Sequence, residues 1–325
     1  MRTSWGSATD RGLVREVNED ALLAYPPVFL VADGMGGHDA GDLASRIAVE
    51  EFAQLAGQAA ATADDVHACF TRTAARIRGE FTGGRQGGTT VAGVAVTEHD
   101  GGSYWLVFNV GDSRVYRWSE ESLEQVSVDH SVVQELLDLG EIDQAAADTH
   151  PERHVLTRAL GTGDAPEPDY WLLPAGLDDR LLICTDGLTR EVHDEDLAAV
   201  LAGSEDAQDA AAALVGLALE RGARDNVSVV VVDVATSAGA HDDVHITVPR
   251  VGAELGAHQW DEMLNGATVP RPARPRGPVF PVTTPTPARG IDRLRRDRPA
   301  TTPDAADAAG AGSDDDSTPP EETRP

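Results

Sequence analysis

Four apolar runs in this chain meet an aspartate at one end, and no other pattern limits the fold as much. VFLVADG reaches Asp33, YWLVFNVGD reaches Asp112 and LLICTDG reaches Asp186, while RDNVSVVVV starts beside Asp225. Glu19 and Asp20 stand together just before a further apolar stretch, ALLAY. Short apolar runs rich in β-branched residues read as buried strands. A carboxylate desolvated at the mouth of such a strand costs several kcal/mol unless something positive compensates it. Arginine is one answer, and Arg15, Arg114, Arg190 and Arg224 lie near these acids in sequence. A hard divalent cation is the other, because Mg²⁺ and Mn²⁺ take carboxylate, carbonyl and water oxygens in octahedral geometry. The stretch VADGMGGHDAG follows Asp33 with Gly34, Gly36, Gly37 and Gly41. Glycine there would let a backbone carbonyl approach an ion with no side chain in the way.

The periodicity predicts strands over 28–32, 90–97, 104–110, 114–118, 170–173, 181–184 and 227–234. It predicts helices over 42–56, 63–81, 131–139, 194–202 and 206–221. Strands come in hairpin-like runs and helices in pairs. That argues for an α+β fold with a central β-sandwich of two mainly antiparallel sheets, packed face to face with helices outside. Strands and helices do not alternate as a dinucleotide-binding fold requires.

The formal net charge is −29, which repels nucleic acid and anionic membranes as principal partners. The chain has no lysine, which excludes a P-loop lysine, a kinase-type ATP lysine and Schiff-base chemistry. Two cysteines, Cys69 and Cys184, give no disulfide framework and no metal-binding pair, which fits a reducing cytosol. MRTSWGSATDRG lacks the apolar core of a signal peptide, and no apolar run approaches membrane-spanning length, so the expected location is cytoplasmic.

Near residue 236 the text turns to Pro, Thr, Ala, Arg and Asp, which cannot bury enough apolar area to order itself. Residues 1–236 are expected to form the folded domain and 237–325 a mostly disordered tail. Residues 251–264 have the pattern of a short helix. The Arg-rich middle of the tail, 271–298, is a candidate to dock on the acidic domain.

The ordered set REVNED, VADGMGG, GGTT, NVGDSR, VDHS, HVLTRALG, LLICTDGL and RDNVSVVVV resembles the metal-dependent protein phosphatases (PPM family, type 2C) in their bacterial form. The likeness covers roughly residues 4–235. It implies helix pairs on both sides of the sandwich, in four layers, and two Mn²⁺ or Mg²⁺ ions in a cleft at one end. Carried over residue by residue, it has Asp33 bridging the ions, the Gly34 carbonyl on one of them, and Asp186 and Asp225 on the other. Glu19 would act through metal-bound water and Asp20 as a ligand or supporting acid. Asp112, with Asp186, would match a third, weaker metal site. Arg15 would grip the substrate phosphate. The resemblance further implies in-line attack by a hydroxide bridging the ions, with phosphoserine and phosphothreonine proteins as substrates. The partners implied are serine/threonine kinases and their substrates, and the chain is expected to act as a monomer.

Many eukaryotic members carry a histidine after the Asp-Gly pair, assigned to protonating the leaving group, and here Met35 holds that position. His38 lies nearby but reads as a loop or capping residue. Residues 141–161 correspond to a mobile flap beside the site, and GGTT reads as a strand start. Two alternatives remain: a phosphatase of a partner-switching stress or sporulation pathway, and a non-catalytic scaffold for phosphoproteins.

Overall fold

A computed structural model describes residues 1–36, 40–81, 86–162 and 167–236, and the backbone of 246–248. All of these fall within the compact unit Met1–Ala273.

A seven-stranded sheet and a five-stranded sheet form the centre, and every strand pair is antiparallel. The five-stranded sheet contains β1 (Arg2–Asp10), β7 (Arg114–Ser119), β8 (Ser122–Gln125), β10 (Arg180–Cys184) and β11 (Val227–Thr236), in the order β1-β11-β10-β7-β8. The other contains β2 (Asp20–Tyr25), β3 (Val28–Gly36), β5 (Val91–His99), β6 (Gly102–Val110), β9 (Asp169–Pro174) and β12 (Ile246–Val248), in the order β12-β9-β6-β5-β3-β2. A short β4 (Gly87–Thr89) pairs with the end of β3.

The continuous apolar runs arise because the central strands are buried on both faces. Side chains alternate along a strand, so each run serves two cores. In β3, Phe29 and Val31 face the interior between the sheets, while Val28, Leu30 and Ala32 pack against helices. In β10, Leu181 and Ile183 face between the sheets, and Leu182 and Cys184 face away. In β11, Val230 and Val232 face inward and Val229 and Val231 outward. The outer face of the seven-stranded sheet is covered by α1 (Ala40–Phe52) and α2 (Ala63–Glu80). α6 (Asp194–Gly203) and α7 (Ala207–Glu220) cover the five-stranded sheet. The Thr62 hydroxyl and Asp65 carboxylate start α2 with a reciprocal capping box. The expected four-layer α+β architecture is present.

Several elements differ from the sequence reading. β1 and β8 are mostly exposed or half-buried, so their residues carry little apolar alternation. β2 covers the ALLAY stretch. α3 (Val132–Asp138) lies where expected, with Ser131 as its cap, and the short helix α4 (Gln144–Asp148) falls in the alanine-rich 141–161 segment, whose text allows a loop or a short helix, whereas α5 (Asp186–Thr189) was not anticipated. β12 adds to β9 from beyond residue 236. His38, the helix expected over 251–264 and the Arg-rich stretch lie outside the described residues. Among the described residues no helix is long and apolar enough to cross a membrane.

Candidate active site

The acids gather at one end of the sandwich, and both sheets contribute. Asp20 opens β2 and stands opposite Asp33 on β3. Asp112 lies in the turn between β6 and β7, where the chain passes from one sheet to the other. Asp186 is the first residue of α5, just after β10, and Asp225 precedes β11. Burial raises the Asp33 carboxyl well above its usual range, and the charges of Asp186, Asp20, Asp112 and Asp225 add to the effect. Asp186 is raised likewise, by burial and then by Asp112, with Arg190 opposing. Burial lifts Asp20 to about 7 against hydrogen bonds from Ser228 and Thr185. Asp112 rises to about 6 through burial and the neighbouring Asp129. These groups respond to one another, so the sequence-predicted aspartates form one electrostatic cluster.

Polar neighbours fix their backbones. Asp33 N–H donates to Thr90 Oγ1 at 3.0 Å, and the Asp33 carbonyl accepts from Thr89 Oγ1 and Thr90 N at 2.9 Å each. Thr90 Oγ1 also meets Ser113 Oγ at 2.7 Å, beside Asp112. Thr185 Oγ1 donates to Asp20 Oδ2 at 2.9 Å and accepts from Ser228 N at 3.0 Å. Asn226 Oδ1 accepts from Glu19 N at 2.8 Å, while its amide donates to the Arg11 and Val17 carbonyls. Thr185 and Asn226 were not singled out for a role at the site, and Thr89 and Thr90 were read first as a strand start and only second as site contacts. Each nonetheless lies inside or beside a quoted motif, GGTT, LLICTDGL or RDNVSVVVV, which was the available signal.

Glycines hold space open. A Cβ on Gly34 would lie 2.1 Å from the Gly41 carbonyl oxygen. A Cβ on Gly41 would meet the Gly34 carbonyl oxygen at 2.7 Å and Glu19 Oε1 at 2.8 Å. Two oxygens of hard-cation type therefore border a space that a side chain would fill. Asp20 Oδ1 and Asp186 Oδ1 are buried with no hydrogen-bond partner. An all-oxygen, anionic donor set with two orphaned carboxylate oxygens fits Mn²⁺ or Mg²⁺.

Arginines supply positive charge as well. Arg190, at the end of α5, pairs with Asp186 through Nη2 and with Asp225 through Nη1 at 2.7 Å. Arg15 Nη2, half exposed, reaches Asp225 Oδ2 at 2.9 Å. No three His, Cys, Asp or Glu side chains among the described residues are already arranged to hold an ion. Arg114 instead pairs with Asp129 at 2.7 Å.

A cavity of about 290 Å³ opens beside Met35, lined by His154, Leu156, Thr157, Arg158, Ala159 and Thr162. The 141–161 segment therefore meets the end of β3. Burial, then Arg190 and Arg153, lowers the His154 imidazole's affinity for a proton. Arg158 does not project into open solvent; it pairs with Asp169 at 3.1 Å.

A family model described as protein phosphatase 2C matches residues 14–217. The serine/threonine phosphatase stp of Listeria monocytogenes is 34% identical over 238 residues, covering 69% of this chain and 93% of the relative. The crystal structure of MsPP, a PPM Ser-Thr phosphatase from Mycobacterium smegmatis in complex with cacodylate, is similar at a TM-score of 0.65 and 39% identity. That likeness covers 71% of this chain and 98% of MsPP. The catalytic domain of the phosphatase PstP, in complex with 2 manganese ions, is similar at a TM-score of 0.61 and 33% identity, covering 72% of this chain and 99% of that catalytic-domain chain. Fold, acid cluster and likenesses together define a metal-dependent serine/threonine protein phosphatase. The chain belongs to the protein phosphatase 2C family.

Proposed function

We propose that this chain removes phosphate from phosphoserine and phosphothreonine of proteins, opposing bacterial serine/threonine kinases, with two Mn²⁺ or Mg²⁺ ions in the acid cluster. The convergence of Asp20, Asp33, Asp112, Asp186 and Asp225 from five segments carries this reading. Bound ions would supply an activated water and offset charge on the phosphoryl oxygens.

In this reading Asp33 would serve both ions, the Gly34 carbonyl would hold one of them with Glu19 acting through its bound water, and Asp186 with Asp225 would hold the other. Asp112, beside Asp186, serves a weaker third. Asp20 is oriented by Thr185 and supports Asp33 from the opposite strand. Arg15 is half exposed at the mouth of the cluster and is free to turn from Asp225 to a substrate phosphate. Arg158 is engaged with Asp169 and does not compete for that role. Met35 carries no proton to give. His154 lines the same cavity, and burial with the charges of Arg190 and Arg153 lowers its proton affinity, which disfavours a charged donor there.

Residues 1–236 form the catalytic unit in this reading, joined by β12. The chain is taken to work in a reducing cytoplasm, which its two unpaired, buried cysteines, Cys69 and Cys184, fit. The chain is taken to act as a monomer.

The test is turnover of p-nitrophenyl phosphate and a phosphothreonine peptide with Mn²⁺, repeated in EDTA. Metal-dependent hydrolysis by wild type, abolished in Asp186→Ala, is the expected result. No turnover by wild type, or full turnover by Asp186→Ala, overturns the reading.

A further inference from the structure

Residues 13–17, LVREV, lie in the loop between β1 and β2, and all five are exposed. Arg15, which reaches Asp225, is flanked by Leu13 and Val14, each 66% exposed, and by Val17, 52% exposed. Apolar side chains scattered singly over a surface need no explanation, but three within five residues around one arginine are a different case. The acid cluster gives these three side chains no work.

The loop is not slack. Asn226, next to Asp225, holds it at three points: its amide donates to the Arg11 and Val17 carbonyls at 3.0 Å each, and its Oδ1 accepts from Glu19 N at 2.8 Å. Leu13 N donates to the Ala223 carbonyl at 2.8 Å, and Gly12 N to Asp10 Oδ1 at 2.8 Å. Gly12 is buried with φ +74°, and a Cβ there would lie 2.2 Å from the Asp225 carbonyl oxygen, so only glycine lets the loop lie down on the Asp225 backbone. The chain from Arg11 to Glu19 is thereby fixed to the segment that carries Asp225, while Leu13, Val14 and Val17 stand in solvent. A backbone already held in place has little further entropy to lose when its side chains are covered.

We propose that Leu13, Val14 and Val17 form an apolar docking rim around Arg15 that selects phosphopeptides with a large apolar side chain within two residues of the phosphorylated one. This rests on the phosphatase reading above, in which Arg15 takes the substrate phosphate. An extended peptide advances about 3.3 Å per residue, so side chains one or two residues from the phosphate fall about 3–7 Å along it. The three apolar side chains stand one or two residues from Arg15 and meet a peptide on that same scale. Glu16 and the acid cluster repel acidic flanks, which leaves apolar neighbours as the ones the rim can hold. The occupant is a substrate peptide because the exposed side chains surround the residue that meets phosphate.

The test uses the full chain with the Leu13→Ser/Val14→Ser pair, Val17→Ser and Leu13→Ile. Two phosphothreonine peptides of equal length and charge carry either Leu or Ser on both sides of the phosphothreonine. Wild type with Mn²⁺ is expected to hydrolyse the Leu peptide with a kcat/KM about tenfold higher, carried by KM, the lower end of what one methylene achieves in an apolar pocket. The serine variants should lose most of that preference, keep wild-type turnover of the Ser peptide and melt like wild type in EDTA, while Leu13→Ile keeps the preference. Equal kcat/KM for the two peptides in wild type, or a preference untouched by both serine variants, overturns the rim. A rise in turnover of both peptides alike in the serine variants also overturns it, marking the patch as a seat for the chain's own tail. So does a wild-type dimer that the serine variants convert to monomer in sedimentation with peptide preference unchanged, marking a contact between copies. Calorimetry with phosphonate analogues of the two peptides reads the preference without turnover. About tenfold tighter binding of the Leu analogue by a wild type that hydrolyses neither peptide would overturn the phosphatase reading alone.

Discussion

Asp20 stands directly opposite Asp33 across the β2–β3 ladder, two carboxylates where paired strands ordinarily avoid like charge. Burial and their acidic neighbours push both to hold protons more tightly than in the unfolded chain. The protein keeps an arrangement that repels itself at neutral pH, and that governs how stability, metal and catalysis relate.

The first consequence is a pH profile. Carboxyls with raised values bind more protons folded than unfolded, so their stability contribution is lost as pH rises from the unfolded value of ~3.9. The loss continues through about 6 for Asp112 and about 7 for Asp20. Asp169 and Glu51 are lowered, against burial, by hydrogen bonds from His130 and Arg158 for Asp169 and from Arg76 and Arg72 for Glu51, and act oppositely, losing stability as pH falls through their folded values. In EDTA the protein is therefore more stable near pH 5 than pH 8. A difference of about 2 kcal/mol would separate the melting temperatures by roughly 4–8 °C. Saturating Mn²⁺ should erase most of that gap, and melting curves at both pH values check it.

Asp33→Asn separates function from stability. Removing one charge from the cluster relieves repulsion, so the metal-free melting temperature should rise. Turnover should fall roughly 10²–10³-fold, the scale of losing one group that stabilises transition-state charge. Kinetics and melting on the same preparation decide it, and a fall in both would count against the repulsion argument.

Arg190→Gln addresses the guanidinium that pairs with Asp186 and Asp225. Two unit charges 4 Å apart interact by ~4 kcal/mol at an effective dielectric of 20, and displacing Arg190 consumes part of this when a cation enters. Mn²⁺ affinity should rise about tenfold, a fraction of that Coulomb figure. The metal-free melting temperature should drop, because both aspartates lose a counter-charge. Calorimetric titration of variant and wild type gives the answer.

Gly41→Ala should act on both metal and folding. Its Cβ would press on the Gly34 carbonyl oxygen at 2.7 Å and on Glu19 Oε1 at 2.8 Å. Backbone that close has to shift, so weaker Mn²⁺ binding together with a lower melting temperature in EDTA is the expected pair of results. Gly34→Ala, whose Cβ would strike the Gly41 carbonyl at 2.1 Å, should fail to fold normally.

Much of this was legible in the sequence, for a physical reason. β3, β10 and β11 are buried on both faces, so their apolar text is unbroken and their terminal acids stand out. β1 and β8 escaped because half-exposed strands at or near a sheet edge need no apolar pattern. Asp33, Asp186 and Asp225 could be selected by their place at strand ends. Thr185 and Asn226 could not, because they act by holding a neighbour's backbone or side chain, and spacing along the chain does not show which neighbour. The two roles of arginine, counter-ion to the cluster at Arg190 and partner of a remote acid at Arg114, also look identical in sequence.

The interior between the sheets has a bearing on the chemistry. Asp20 and Asp33 hang from one sheet, Asp186 and Asp225 from the ends of the other, and Phe29, Trp105, Ile183 and Val230 fill the gap. That filling is a ruler: its thickness sets how far apart the two halves of the cluster stand. A core substitution that thins or thickens it, far from any acid, retunes which cation the mouth of the sandwich prefers. Ions held there would act as a clasp across both sheets, making the catalytic cargo part of what keeps the two halves closed.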